Sequence, residues 1–178
     1  LKSGEMVEKD LSDTEEFQRI VFDKLLQAAK PVEDEFGATI TKDFLKLIAL
    51  LGPVKVDDGF LEKSATFLGT ATHASHVSDL LDALDRVGLL LSTGAGIRVT
   101  PDLVSDHLAF TACYRKGKSD TTFARRVFKH FDLNQFPILL QHLAEAEWRA
   151  LQKDDTADSI IEPLWQWFVT EFEGSCFY

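Results

Sequence analysis

The chain has 178 residues, 45% of them hydrophobic, and a formal net charge of −10 at pH 7. This size and composition allow one large domain or two small ones, each with a packed core. The acidity disfavours binding to nucleic acid, because affinity for phosphates comes largely from Lys and Arg.

The sequence carries little sign of export or of a membrane. Cys113 and Cys176 are too few for a disulfide framework or a structural zinc site. The opening LKSGEMVEKD has no apolar core typical of a signal peptide, and charged residues interrupt every long apolar run. We therefore expect a cytoplasmic protein without membrane contact. Because the first residue is Leu1 and not Met, we also expect a piece of a longer protein.

Periodicity and helix-breaking residues predict a mainly helical chain. The residues DTEE at 13–16 are typical of a capped start for a helix that ends near Pro31. Residues 32–38 are acidic, contain a glycine and are predicted to be a linker. Further helices are predicted at Thr41–Leu51, Phe60–Leu68 with Asp57 or Asp58 as its cap, Ser75–Val87 with Ser75 as its cap, from Pro101 onwards, Thr121–Phe131, Pro137–Gln152 and Ala157–Phe172.

The most informative stretch is LLDALDRVGLLLSTGAGIRVTPDLVSDHLA, from Leu80 to Ala109. An amphipathic helix closed by Gly88 leads into two predicted strands, Leu89–Leu91 and Gly96–Val99, joined by a Gly-Ala-Gly turn. Three helices followed by a two-stranded wing is the order of a winged-helix domain. The predicted fold class is therefore mainly α, with a winged helix-turn-helix at 39–100. An N-terminal tail and helix at 1–38 and a C-terminal helical, repeat-like region at 101–178 flank it.

Winged-helix domains either bind DNA or hold protein domains together. In a DNA binder the third helix would present positive charge to the major groove. Here the third helix offers Asp79, Asp82 and Asp85 against Arg86, and the wing adds only Arg98 at its base. A DNA-binding transcriptional regulator with a helical partner-binding tail is therefore the weaker alternative.

Two stretches, LKLIALLGPVKVDDGFLEKSA and the stretch from Leu80 to Ala109, resemble the winged-helix domain of STAND-class signalling ATPases. That class includes the NACHT and NB-ARC families. The resembling elements are Leu47–Pro53, Leu81–Leu89 and the Asp-Leu-Val that starts at Asp102, and the resemblance covers about residues 40–112. The form PDLVSDHL is similar to that of the bacterial members.

The resemblance implies a non-catalytic regulatory segment that packs against a nucleotide-binding domain absent from this chain, or against another protein. A role in signalling or defence is implied in the same way. Where many members have a Met-His-Asp triplet, this chain has Thr100, Pro101 and Asp102, and the Pro cannot donate a hydrogen bond to phosphate. The sequence also lacks a GxxxxGK[ST] loop, so we expect no enzymatic activity and no cofactor.

Two candidate interaction surfaces stand out, and no catalytic or metal site does. A basic cluster is either a solvated face or a contact for an acidic protein, a nucleotide phosphate or nucleic acid. An apolar last helix is either packed internally or exposed for docking, including dimerisation. His73 and His76 are expected to be surface or capping residues, not metal ligands. The basic cluster consists of Arg115, Lys116, Lys118, Arg125, Arg126 and Lys129, and the apolar surface of Trp165, Trp167, Phe168 and Phe172.

Overall fold

The computed structural model describes residues 27–69, 73–115, 118–131 and 133–172. Within these ranges the chain is mainly helical, as predicted, and carries two short antiparallel hairpins. Most of the helix predicted to start at residue 13 lies outside the described residues. No helix in the described ranges is both long and apolar enough to cross a membrane.

The helices follow the predicted order closely. They are α1 at 27–36, α2 at Ala38–Leu51, α3 at Asp58–Leu68, α4 at Ala74–Arg86, α5 at Asp102–Cys113, α6 at Thr122–His130, α7 at Phe136–Lys153 and α8 at Ile161–Phe172. A 3-10 turn at Leu133–Gln135 precedes α7. The strands are β1 at Leu90–Thr93, β2 at Gly96–Val99, β3 at Tyr114–Arg115 and β4 at Lys118–Ser119.

The predicted linker at 32–38 is wrong, because α1 continues past Pro31 to residue 36. A proline inside a helix loses one backbone hydrogen bond, here the one to the carbonyl of Gln27. Burial of Val32 and Phe36, each under 10% exposed, offsets that loss. Gly37, with φ at +92°, then separates α1 from α2.

Helix α2 lies at the centre of the hydrophobic core. It packs against α3, α5, α7 and β2. At its carboxyl end, Nδ1 of His142 on α7 lies 2.9 Å from the carbonyl oxygen of Leu50 and must donate to it, because a carbonyl can only accept. The fully buried side chains of α2 are those of Phe44, Leu47, Ile48, Leu50 and Leu51.

Two predicted helix ends are confirmed and one is wrong. Asp57 caps α3, since its Oδ1 accepts a hydrogen bond from the backbone N–H of Phe60 at 2.7 Å. Gly88 has φ at +75°, the left-handed conformation expected after α4. The predicted cap at Ser75 is wrong, because α4 already starts at Ala74 and His73 precedes it without a side-chain capping bond.

The first hairpin gains a third partner that the sequence did not reveal. Strands β1 and β2 pair with Leu90 opposite Val99. Val54, in the loop after α2, exchanges two backbone hydrogen bonds with Ile97 of β2, at 2.9 and 2.8 Å. Gly96 makes this approach possible, because a Cβ there would lie 2.4 Å from the carbonyl oxygen of Val54. The α2–α3 loop is thereby fixed to the hairpin.

The junction of α5 and β3 is buried and contains two groups with raised pKa values. Cys113 has no exposed surface, and its burial raises its pKa from 9.0 to about 12. The hydroxyl of Tyr114 donates to the carbonyl oxygen of Asp158 at 2.9 Å. Burial, followed by the nearby charge of Glu147, raises the pKa of Tyr114 from 10.0 to about 12.

We predict that Gly96→Ala destabilises the protein, whereas Gly94→Ala in the same turn is tolerated. Gly96 has φ at +134° and no room for a Cβ, while a Cβ at Gly94 would meet nothing within 4 Å. The backbone strain alone costs about 1–3 kcal/mol, and the clash adds to it. Urea unfolding followed by circular dichroism measures the difference. Equal stability of the two variants would contradict the close approach.

We also predict that stability falls as the pH rises from about 9 to about 12. The unfolded chain releases the protons of Cys113 and Tyr114 at lower pH than the folded chain, so the native state binds more protons in this window. The stabilisation is complete below pH 9 and is lost progressively as the pH rises to about 12. Urea midpoints between pH 8 and 11 should decline less steeply for Cys113→Ala than for the wild type.

Candidate interaction surfaces

Helix α6 divides the basic cluster between two sides. Arg126 faces α2 and α3: its Nη2 donates to the carbonyl oxygen of Phe67 at 2.9 Å and its Nη1 lies 3.4 Å from Oδ2 of Asp43. Its guanidinium also stacks 4.4 Å from the ring centroid of Phe67. Arg126 thus links α6 to α2 and α3.

The other two cations of α6 face α8. Arg125 lies 5.5 Å from the ring centroid of Trp167, and Lys129 lies 5.7 Å from it. Nζ of Lys129 also forms an ion pair with Glu171 at 3.1 Å. Two members of the basic cluster, Arg125 and Lys129, therefore contact the apolar surface of α8, although the sequence presents the two as separate candidates.

The remaining basic residues lie on the second hairpin. Arg115 of β3 pairs in register with Lys118 of β4, and both side chains are exposed. Lys116 lies outside the described residues. Asp120 follows β4 and accepts a hydrogen bond from the backbone N–H of Thr122 at 2.9 Å. The cluster thus does not form one continuous basic face.

The apolar surface of α8 is only partly exposed. Trp165 leaves 58% of its surface in solvent, whereas Trp167 and Phe168 are partly buried against the core. Phe168 packs on Phe128 and Phe136, with ring centroids 6.1 and 6.0 Å apart. The side chain of Phe172 lies outside the described residues. Trp165 is therefore the member of this set that fits the predicted docking role.

Exposed apolar side chains on α7 escaped the sequence analysis. Trp148 is 62% exposed, and Leu140 and Leu151 are exposed as well. Leu140 and Trp165 line the same small cavity, about 60 Å³, between α7 and α8. The helical periodicity of Pro137–Gln152 is the signal that could have indicated the exposure of Leu140 and Trp148.

Glu147 of α7 holds the start of α8. Its Oε2 accepts from the backbone N–H groups of Ile160 and Ile161 at 2.6 and 2.8 Å, and from the hydroxyl of Ser159 at 3.0 Å. These N–H groups belong to a helix start and have no acceptor within the helix. Asp154, in the preceding turn, accepts instead from the backbone N–H and the hydroxyl of Thr156.

Helix α8 also starts later than predicted. The expected start at Ala157 is wrong, since the helix runs from Ile161. Pro163 is therefore its third residue, where the missing N–H has no partner to lose. The segment before α8 is held in place by Glu147 instead of by helical hydrogen bonds.

The outward face of α4 is acidic. Asp79, Asp82 and Asp85 are exposed, while Val77, Leu80 and Leu84 are fully buried. Arg98 of β2 forms an ion pair with Asp102 at the start of α5. The face that a DNA-binding third helix would present to phosphates therefore carries negative charge.

The histidine pair shows no arrangement for a metal. Among the described residues, no group of three or more His, Cys, Asp or Glu side chains could hold a metal ion. His73 precedes α4 and is exposed. The ring of His76 lies 4.9 Å from that of Phe36, between centroids, and packs α4 against α1.

Comparison with known proteins gives no family. The chain matches no protein-family model, no curated protein and no solved structure.

We predict that Glu147→Ala destabilises the protein by about 2 kcal/mol, because it removes a charged acceptor from buried N–H groups at the start of α8. The matched control is Glu145→Ala on the exposed face of α7, where the carboxylate accepts a hydrogen bond from Gln141 at 3.0 Å. Urea unfolding followed by tryptophan fluorescence reports the change, since Trp165 and Trp167 lie on α8. A loss at Glu147 no larger than that at Glu145 would contradict this anchoring role.

Proposed function

We propose that residues 39–100 form a winged-helix domain and that the chain is a non-catalytic regulatory and interaction segment of a STAND-type signalling ATPase. The observation that carries the proposal is the order of α2, α3, α4 and the β1–β2 hairpin. The pairing of Val54 with Ile97 adds to it, because it fixes the loop after the first helix to the wing. The sequence resemblance supplies the family.

The charge of α4 favours a protein partner over DNA. Its exposed carboxylates, those of Asp79, Asp82 and Asp85, would repel a phosphate backbone. The same carboxylates suit a partner with a basic face. Under this proposal the partner is the nucleotide-binding domain of the parent protein, and the protein acts in the cytoplasm.

Pro101 limits what this segment does in the proposed switch. It stands where many STAND members have a histidine, and its ring nitrogen carries no proton to donate to a phosphate. The segment would therefore respond to nucleotide through contacts between domains and not through a direct bond from this position. The ATPase chemistry would belong to the partner domain.

The parent gene tests this proposal. It is expected to encode a GxxxxGK[ST] loop upstream of Leu1, and the region with that loop, produced separately, is expected to bind this chain in analytical ultracentrifugation. Reversing the charges of α4 with Asp79→Lys, Asp82→Lys and Asp85→Lys should weaken the complex. A parent gene without a nucleotide-binding region would overturn the proposal.

We predict that the chain does not bind duplex DNA with the strength of a winged-helix regulator. Fluorescence anisotropy at about 50 mM salt should give a Kd weaker than about 100 µM, the weak end of non-specific binding. Asp79→Asn, Asp82→Asn and Asp85→Asn together should tighten it, since they remove repulsion. Tight wild-type binding that weakens steeply with salt would favour the transcriptional regulator instead.

A further inference from the structure

A polar cavity of about 300 Å³ lies between α2, α5, β3 and the start of α6. Three cationic side chains from three separate elements line it: Lys46 of α2, Arg115 of β3 and Arg126 of α6. Asp120 is the one carboxylate that lines it. The lining therefore carries a formal charge of +2 in a chain whose net charge is −10, so the positive charge is concentrated here against the general trend.

Two of the three cations of this cavity are held in position by contacts beside it. The guanidinium of Arg126 is fixed by the carbonyl oxygen of Phe67, by stacking on the Phe67 ring and by Oδ2 of Asp43, 3.4 Å from its Nη1. Nζ of Lys46 lies 5.9 Å from the ring centroid of Phe123, a residue in the first turn of α6 that also lines the cavity. A ligand would meet these groups already oriented, which lowers the entropic cost of binding.

Asp120 offsets only part of this charge. Its carboxylate accepts hydrogen bonds from the hydroxyl and the backbone N–H of Thr122, which lower its pKa, and the nearby Arg115 and Lys46 lower the pKa further. Asp120 is thus committed to the start of α6.

We propose that this cavity binds a phosphate group, either as inorganic phosphate or as the phosphate of a small phosphomonoester. Two guanidinium groups and an ammonium are the donors that phosphate oxygens prefer, and the three cations still outnumber the two carboxylates when Asp43, the partner of Arg126, is counted with Asp120. The site was not evident in the sequence because Lys46, on α2, lies outside the basic cluster. The inference does not depend on the proposed STAND function.

An adjoining cavity allows the two sources of phosphate to be distinguished by experiment. It has a volume of about 290 Å³ and shares Lys46 and Thr111 with the polar cavity. Its lining combines apolar side chains, including Leu45, Leu108 and Val104, with Glu33, Lys42 and His107. A phosphomonoester with an apolar body would gain contacts there that inorganic phosphate cannot make. Tighter binding of hexyl phosphate than of inorganic phosphate would identify a phosphomonoester, and equal binding would identify free phosphate.

Isothermal titration calorimetry with inorganic phosphate at low ionic strength tests the proposal. The wild-type chain is expected to bind with a Kd of about 1 mM or tighter. Lys46→Gln and Arg115→Gln should each weaken binding about tenfold, the effect of losing one charged hydrogen bond. Lys55→Gln, an exposed lysine in the α2–α3 loop that does not line the cavity, is the control for net charge.

A variant that is expected to strengthen phosphate binding complements these substitutions. Asp120→Asn removes the one negative charge of the lining but keeps an oxygen for the N–H of Thr122, so phosphate should bind about twofold to fivefold tighter. Circular dichroism confirms that each variant is folded. The proposal is overturned if the wild type binds no phosphate, if Lys55→Gln weakens binding as much as Lys46→Gln, or if folded Asp120→Asn binds more weakly.

Discussion

The burial of α2 is the constraint on which the rest of the structure depends. Five of its large side chains have almost no exposed surface, and each contributes about 1.5–3 kcal/mol by leaving water. A helix that is apolar on most sides needs neighbours on most sides. The hairpin, α3, α5 and α7 supply them, so the segment predicted as a winged helix and the C-terminal helices share one core.

Polar contacts then fix the elements around this core. His142 of α7 donates to the last turn of α2, Arg126 of α6 joins α2 to α3, and Glu147 of α7 supplies the acceptor that α8 lacks. Each contact satisfies a backbone group that would otherwise cost free energy when buried. The C-terminal helices are therefore held in orientation by a few specific bonds as well as by apolar packing.

The distribution of charge distinguishes the two proposed binding sites. The outward face of α4 is acidic, whereas the polar cavity collects cations from α2, β3 and α6. The acidic face fits a basic protein surface, and the cavity fits a small anion, so the two sites need different ligands. Three members of the basic cluster, Arg125, Arg126 and Lys129, contact neighbouring helices, and Arg126 also lines the cavity.

The sequence by itself determined the helical class, the β1–β2 hairpin and the helix end at Gly88, and it narrowed the cap of α3 to Asp57 or Asp58, because these depend on neighbouring residues and on local periodicity. Tertiary structure alone decided the continuation of α1 past Pro31, the capping of α8 by Glu147 and the meeting of Lys46 with Arg115 and Arg126. The physical reason is that burial overrides a local helix-breaking signal. Likewise, a contact between residues far apart in the chain leaves no periodic trace in the sequence.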